Sequence, residues 1–433
     1  MKIKVPVLNK LQNVIYYMIL YIFLMSLAQT FGMPHAIVFI LDGVNLFLFV
    51  NLLLRHRKFD GLHYPLVKIQ LAVWCLGILV SVAYETSAIL ISWSLRNHIR
   101  FVMFFISCVF YLGKNDICRI IKMLEIIYYI NFIIYVVQFV FFHLYADMLG
   151  GIFGTIGGCN GYSNVFLVGI TILYTWKWVY GKVKLKKLIL ILGMAVGQAA
   201  LGEIKVFFVE VPVILIAAFY RVYFVNRQKR KINEFVMLII LSIVILIVGV
   251  WIVGVLRPEF KNFFTISKML DIVSNKSGYS ADGKSVNRLN AISIINSQIF
   301  KTVRMKMFGI GVGGAEYSQS VKAFISPFYY KFSYLKYKNF TISWLYIEAG
   351  MIGLVGYIMS FVMTIRDGYK RLKKVRDIEM KIIISTGITM TFICLILIIY
   401  STSLRIDIAY LVYFFISLIY VNSKENMNEA KMA

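Results

Sequence analysis

Four arginines are the residues of this sequence best suited to holding an anion: Arg288, Arg304, Arg405 and Arg100. A planar guanidinium grips phosphate through two parallel hydrogen bonds. All four lie at or beyond the ends of apolar runs, where lipid head groups and lipid-linked diphosphates are the natural anions. Ordinary head-group contact is the plainer account of any single one. Arg288, at the head of an amphipathic stretch, is the strongest candidate for a diphosphate clamp.

Several ionisable residues fall within or beside apolar runs. Glu203 and Lys205 sit at the end of one, with Glu210 one to two turns deeper; Glu348 lies inside another and Asp407 just inside the last. A charge inside a bilayer is costly and is a functional candidate by default. Internal ion pairs, Glu203 with Lys205 or Arg405 with Asp407, are an equally good account. The histidines are His35, His56, His63, His98 and His143, and none falls between Arg257 and Asn339. His98 and His143 read as interfacial side chains. Gly309, Gly311 and Gly314 formally match GxGxxG, but a dinucleotide site needs a strand before the glycines and a helix after them. Here a helical pattern precedes them, and a tight turn is the better reading. The five cysteines show neither CxxC nor Cys/His metal spacing, so no metal and no disulfide framework is expected.

The elements that must position these residues are membrane helices. Of 433 residues, 60% are hydrophobic and 15% charged, and the mean hydropathy is +0.78. That leaves too little polar surface for a water-soluble fold. Counting apolar runs near the bilayer-spanning length of roughly 20 residues gives about twelve transmembrane helices in an all-α bundle. The formal charge of +26 excludes no class by itself. Its placement does, because Lys and Arg cluster in short loops between apolar runs, which argues for membrane orientation and against nucleic acid.

Alternate loops carry the charge: Arg55 to Lys58, Lys114 to Lys122, Lys182 to Lys187, Arg227 to Lys231 and Arg366 to Arg376. The intervening short loops, Met33–His35 and Leu144–Gly161, carry no Lys or Arg. The positive-inside rule then puts both termini in the cytoplasm. The chain reads as one membrane domain, 1–433, with one large extracytoplasmic loop, 257–339, between the ninth and tenth spans. Within it, Leu289, Ile292, Ile295, Ile299 and Val303 recur at helical spacing, predicting an amphipathic helix over Ser285–Met307. An aromatic, basic return follows over Phe324–Phe340 and suits a membrane interface.

Four stretches together resemble the O-antigen polymerase/O-antigen ligase superfamily of bacterial envelope polysaccharide synthesis, whose polymerase branch is often called Wzy. They are Gly154 to Asn160; Glu203 to Lys205, where many members carry Ser-Arg; Asn287-Arg288 followed by Phe308 to Gly313; and Asn339 through Glu348 to Leu354. The resemblance implies a metal-independent glycosyltransferase without cofactor. It would polymerise O-antigen or capsule repeat units from an undecaprenyl-diphosphate-linked oligosaccharide onto a second lipid-linked unit at the outer face of the inner membrane. It also implies roles: Arg288, Glu348 and Asn339 in catalysis, and Arg304, Arg405, Arg100, Glu203, Lys205, Gly309, Gly311 and Gly313 in holding diphosphate or glycan. Membrane lipids, a chain-length regulator and a flippase are the implied partners. Many members, ligases above all, carry His where this chain has Asn339, which favours polymerase over ligase and leaves the proton acceptor unassigned. A ligase acting on lipid core or protein, and a polysaccharide flippase, are the alternatives.

Overall fold

In a computed structural model the described residues are 11–55, 61–144, 146–155, 157–221, 236, 285–318 and 321–421. Their regular structure is entirely helical. The first eight long helices are α1 (Leu11–Thr30), α2 (Val38–Arg55), α3 (Pro65–Ala83), α4 (Ala88–Tyr111), α5 (Lys114–Val140), α6 (Asn160–Val179), α7 (Leu185–Leu201) and α8 (Phe207–Tyr220). Three short helices follow, α9 (Ala291–Gln298), α10 (Val303–Phe308) and α11 (Pro327–Phe332), and then α12 (Thr341–Lys374), α13 (Ile378–Tyr400) and α14 (Ala409–Ser417). Among the described residues seven helices are long and apolar enough to cross a membrane, which makes this a multi-pass membrane protein. The span expected over Phe235–Leu256 and the loop residues 257–284 lie outside the described residues.

Chain order brings sequential helices into contact, but the centre is built from late helices packed on early ones. Helix α12 lies against α3 and α13, α14 against α4, and α13 against α6, which in turn contacts α7 and α8. Nearly all of α6 is buried. Outward-facing Leu79, Val82, Ile126, Ile133 and Ile216 are exposed, as lipid-facing positions should be. Lipid offers no hydrophobic gain for helix association, so small residues and hydrogen bonds hold the bundle. Gly169 takes the ring of Phe415 where a side chain would stand. Gln70 of α3 donates to Ser360 of α12 at 3.3 Å and accepts from Tyr413 of α14 at 3.1 Å. One end of the bundle is stitched by Lys114 with Asp377 (2.6 Å) and Glu379 (3.0 Å), and by Lys182 with Glu379 (3.7 Å). These lysines belong to the basic loops.

Three expectations about boundaries change. The fourth span was expected to begin near Ile99, but α4 begins at Ala88, capped by Ser87, whose hydroxyl accepts from the Leu90 amide at 3.4 Å. Arg96 and Arg100 dilute the local hydropathy and hide that start. The helix enclosed by Ser285–Met307 is two helices, α9 and α10, separated at Ile299 and restarted by Thr302, whose hydroxyl accepts from the Met305 amide at 3.3 Å. Leu289 and Val303, expected on the apolar stripe, are both exposed, whereas Ile295 is buried.

The third change is in α12, which is broken at Gly350, with φ 64° and ψ −166°. The break leaves carbonyls of Thr341–Ala349 without helical amides, and such groups must find partners in a membrane interior. The glycine segment after α10 supplies them. The Ile310 amide donates to the Ile347 carbonyl and the Gly311 amide to the Glu348 carbonyl, each at 2.9 Å. The Val312 amide reaches Gly77 of α3 at 3.3 Å, and Ser81 returns a hydroxyl to the Val312 carbonyl at 2.8 Å. Gly309, Gly311 and Gly313 all have positive φ, and a Cβ on Gly311 would stand 2.5 Å from the Ser81 Cα.

Gly350 occupies a backbone region essentially closed to other residues, and a Cβ there would collide with the Met307 carbonyl group. Gly350→Ala is therefore expected to lose stability by more than the roughly 1–3 kcal/mol of backbone strain alone. Thermal unfolding in detergent checks this; an unchanged midpoint would mean the break tolerates a side chain.

Candidate functional site

The glycine segment delivers Glu316 into the bundle, and a buried charge network forms there from α2, α4, α12 and the α13–α14 connection. Glu348, fully buried two residues before the Gly350 break, accepts from the Ser94 hydroxyl at 3.1 Å and from the Gly313 amide at 3.0 Å. Arg405 lies across both acids: its Nη2 is 3.1 Å from Glu316 Oε2 and its Nη1 3.8 Å from Glu348 Oε2. Its guanidinium stacks 3.6 Å from the Trp344 ring centroid, a favourable cation–π contact in a site shielded from water. Asn97 donates to Glu316 at 3.1 Å. His98 stacks on Trp74 at 3.8 Å, with Nε2 3.9 Å from Glu348.

Arg100 continues the network. It pairs with Asp407 at 2.8 Å and Asp42 at 3.3 Å, and donates to the Arg405 carbonyl at 3.2 Å. Asp42 also pairs with Arg96 and accepts from Tyr410 at 2.7 Å. The pairing expected within the segment, Arg405 with Asp407, is thus exchanged. Asp407 belongs to Arg100, and Arg405 belongs to Glu316 and Glu348. Arg100 likewise does not begin a helix; it sits midway along α4, neutralised on both sides.

Three cations (Arg96, Arg100, Arg405) face four carboxyls (Asp42, Asp407, Glu316, Glu348). The imbalance is one negative charge, and a proton on a carboxyl removes it. Burial pushes the Glu316 carboxyl up to about 7, against the pull of Arg405 and with a further push from Glu348. A carboxyl whose folded value is raised holds more protons folded than unfolded. Its contribution to stability is complete below the ordinary glutamate range and is lost as pH rises through the folded value. The unfolding temperature in detergent is expected to fall between about pH 5 and about pH 8, and Glu316→Gln to flatten that fall. An equal fall in the variant would assign it to another group.

A second constellation lies on the other side of the α13–α14 connection, around Arg288. Asn287 and Asn290 build its turn reciprocally. Asn287 Oδ1 accepts from the Leu289 and Asn290 amides at 3.0 and 2.9 Å, and Asn290 Oδ1 from the Asn287 amide at 2.7 Å. The Val286 amide ties the turn to the Leu335 carbonyl at 2.9 Å. The half-buried Arg288 guanidinium lies 4.1 Å from the Tyr400 ring centroid and 5.5 Å from that of Phe340. Its Nε is buried without a hydrogen-bond partner, and no carboxylate among the described residues pairs with it.

The remaining candidates are dispersed. Lys205 lies 3.9 Å from Glu203 in the α7–α8 turn, the internal pair anticipated from their spacing. Burial pushes the Glu203 carboxyl up against the pull of Lys205. Arg304 is exposed, 5.5 Å from the Tyr84 ring centroid. Asn339 ends a short turn, its amide on the Lys336 carbonyl at 3.1 Å. The amides of Gly309, Gly311 and Gly313 are spent on Met305, Glu348 and the Glu348 carboxylate. Among the described residues no group of three or more His, Cys, Asp or Glu is placed to hold a metal.

Sequence reading missed Asp42, Arg96 and Glu316. Asp42 carried a signal, an acid inside an apolar run. Glu316 carried none, because only the docking of the glycine segment buries it. No protein-family model matches the chain, and no curated protein matches it.

Proposed function

We propose that this protein polymerises a bacterial envelope polysaccharide. It transfers a glycan from a polyprenyl diphosphate to a hydroxyl of a second lipid-linked repeat unit. In this reading both termini are cytoplasmic and the Arg288 turn faces the opposite side of the inner membrane. Arg288 is the observation that carries it. Arg96, Arg100 and Arg405 are spent on carboxylates, whereas Arg288 is held in place by two rings and a capped turn and closes no ion pair among the described residues. A diphosphate leaving group develops negative charge as the glycosidic bond breaks, and a preorganised guanidinium stabilises it. Lys205 and Glu203 close the same end of the bundle.

The test is elongation by the purified protein in proteoliposomes supplied with lipid-linked repeat units from cells lacking its gene. Longer lipid-linked glycans and released polyprenyl diphosphate are the expected products. Transfer onto lipid core or protein alone would make it a ligase. A transporter reading has one observation in its favour, the broken α12 with Glu348 at its break. Passage of repeat units across the bilayer without elongation would select that reading.

A further inference from the structure

Every acid of the charge network has a partner. Asp42 takes Arg100 and Tyr410, Asp407 takes Arg100, Glu316 takes Arg405 and Asn97, and Glu348 takes Ser94 and the Gly313 amide. Glu210 stands apart from it: 0% exposed in the first turn of α8, it has Asn164 of α6 beside it, and neither carboxylate oxygen makes a hydrogen bond of good geometry among the described residues. One turn earlier, Asn160 donates to Asp147 at 2.6 Å at the exposed edge of the bundle. The side-chain oxygens of both asparagines are also buried and unpartnered. The result is a run of side-chain oxygens, from Asn160 through Asn164 to Glu210, with acceptor capacity unused among the described residues. A sugar hydroxyl can donate to them.

The run meets the Arg288 constellation. The Tyr400 hydroxyl lies within electrostatic reach of Arg288, Glu210 and Asp147, and the Arg288 guanidinium stacks on the Tyr400 ring. A cation and a carboxyl, neither in an ion pair among the described residues, thus flank one tyrosine. Transfer to an alcohol needs that pair of charges, one for the leaving diphosphate and one for the hydroxyl proton. The network acids are already held by arginines or hydrogen-bond donors, whereas Glu210 lies beside the tyrosine on which Arg288 stacks.

We infer that Glu210 is the proton acceptor of the transfer and that the acceptor sugar hydroxyl binds along the run from Asn160 through Asn164. The inference rests on the polymerase reading. The acceptor oxygen bonds to the anomeric carbon, and the bond from that carbon to the diphosphate oxygen breaks. The electron pair leaves with the diphosphate beside Arg288, and the hydroxyl proton passes to Glu210. No oxidant, reductant or metal enters the balance. The titratable groups facing Glu210 are Cys394 and Tyr400 from α13, and Tyr400 in turn faces Arg288 and Asp147.

Glu210→Gln keeps the shape and removes the base. In proteoliposomes its kcat is expected to fall by roughly 10²- to 10⁴-fold, with KM for the lipid-linked donor nearly unchanged. Glu210→Asp should retain partial turnover with a displaced acid limb in its pH–rate profile, a readout that a purely structural carboxyl would not move. Glu210→Gln turnover within about threefold of wild type, or an undisplaced limb in Glu210→Asp, overturns the assignment while wild-type elongation upholds the polymerase reading. Absence of elongation by the wild type overturns both.

Discussion

Arg288→Ala protein is expected to lose chain elongation by roughly 10²- to 10³-fold, the usual cost of removing one preorganised charge stabiliser, and to leave single repeat units on lipid. The structure explains why the loss should fall on the reaction rather than on the fold. Arg288 closes no ion pair among the described residues, and its backbone is held by Asn287 and Asn290. Arg288→Lys separates two kinds of attraction. Lysine keeps the charge and loses the fork, so impaired elongation in that variant identifies bidentate contact with phosphate. Full activity would identify simple attraction to an anionic surface. Long glycans made by a well-folded Arg288→Ala protein would remove the clamp. Elongation is measured on isolated lipid-linked glycans, with monodispersity in detergent as the control for folding.

Arg405→Met is expected to act on the fold. It leaves Glu316 and Glu348 buried around a missing cation, and removing one member of a buried pair typically costs about 3–5 kcal/mol. It also removes the cation over Trp344, so the intrinsic fluorescence should change with the loss of stability. The companion variant Arg405→Met with Glu316→Gln removes one uncompensated charge and should recover part of the loss. Recovery is the decisive outcome, because a residue that acted only through its own packing would not be rescued by a change in its former partner. Denaturant or thermal unfolding of the two proteins against wild type measures it. No recovery would mean that Glu316 is protonated throughout and that Glu348 alone needs the cation.

The Ser401–Ile408 connection joins these two expectations. Tyr400 at its start faces Arg288 and Glu210, and Arg405 in its middle faces Glu316 and Glu348. Thr341, at the start of α12, is tied to it by its amide at 3.0 Å and its hydroxyl at 2.7 Å, both to the Ser401 carbonyl. The connection is braced from the other side by Ser403, which reaches the Gly161 carbonyl at 3.4 Å. A single short segment therefore sets the positions of both constellations.

Features that depend on neighbours along the chain are legible in the sequence. Apolar runs of membrane length appear as α1, α2 and α3, because span length is set by local hydropathy. The basic loops were visible for the same reason, as was the Glu203–Lys205 pair two residues apart. Local reading failed where distant residues neutralise a local cost. Arg96 and Arg100 look like the edge of a span until Asp42 and Asp407 are brought to them, the latter from 307 positions away. Glu316 looks like an ordinary loop acid until Arg405, 89 positions on, meets it. The break in α12 is possible only because glycine amides from another segment take up its carbonyls. Arg288 was legible as a candidate from its type and place. That it closes no ion pair among the described residues while Arg96, Arg100 and Arg405 do was decided by tertiary structure, because ion pairing depends on distances in space that spacing along the chain does not encode.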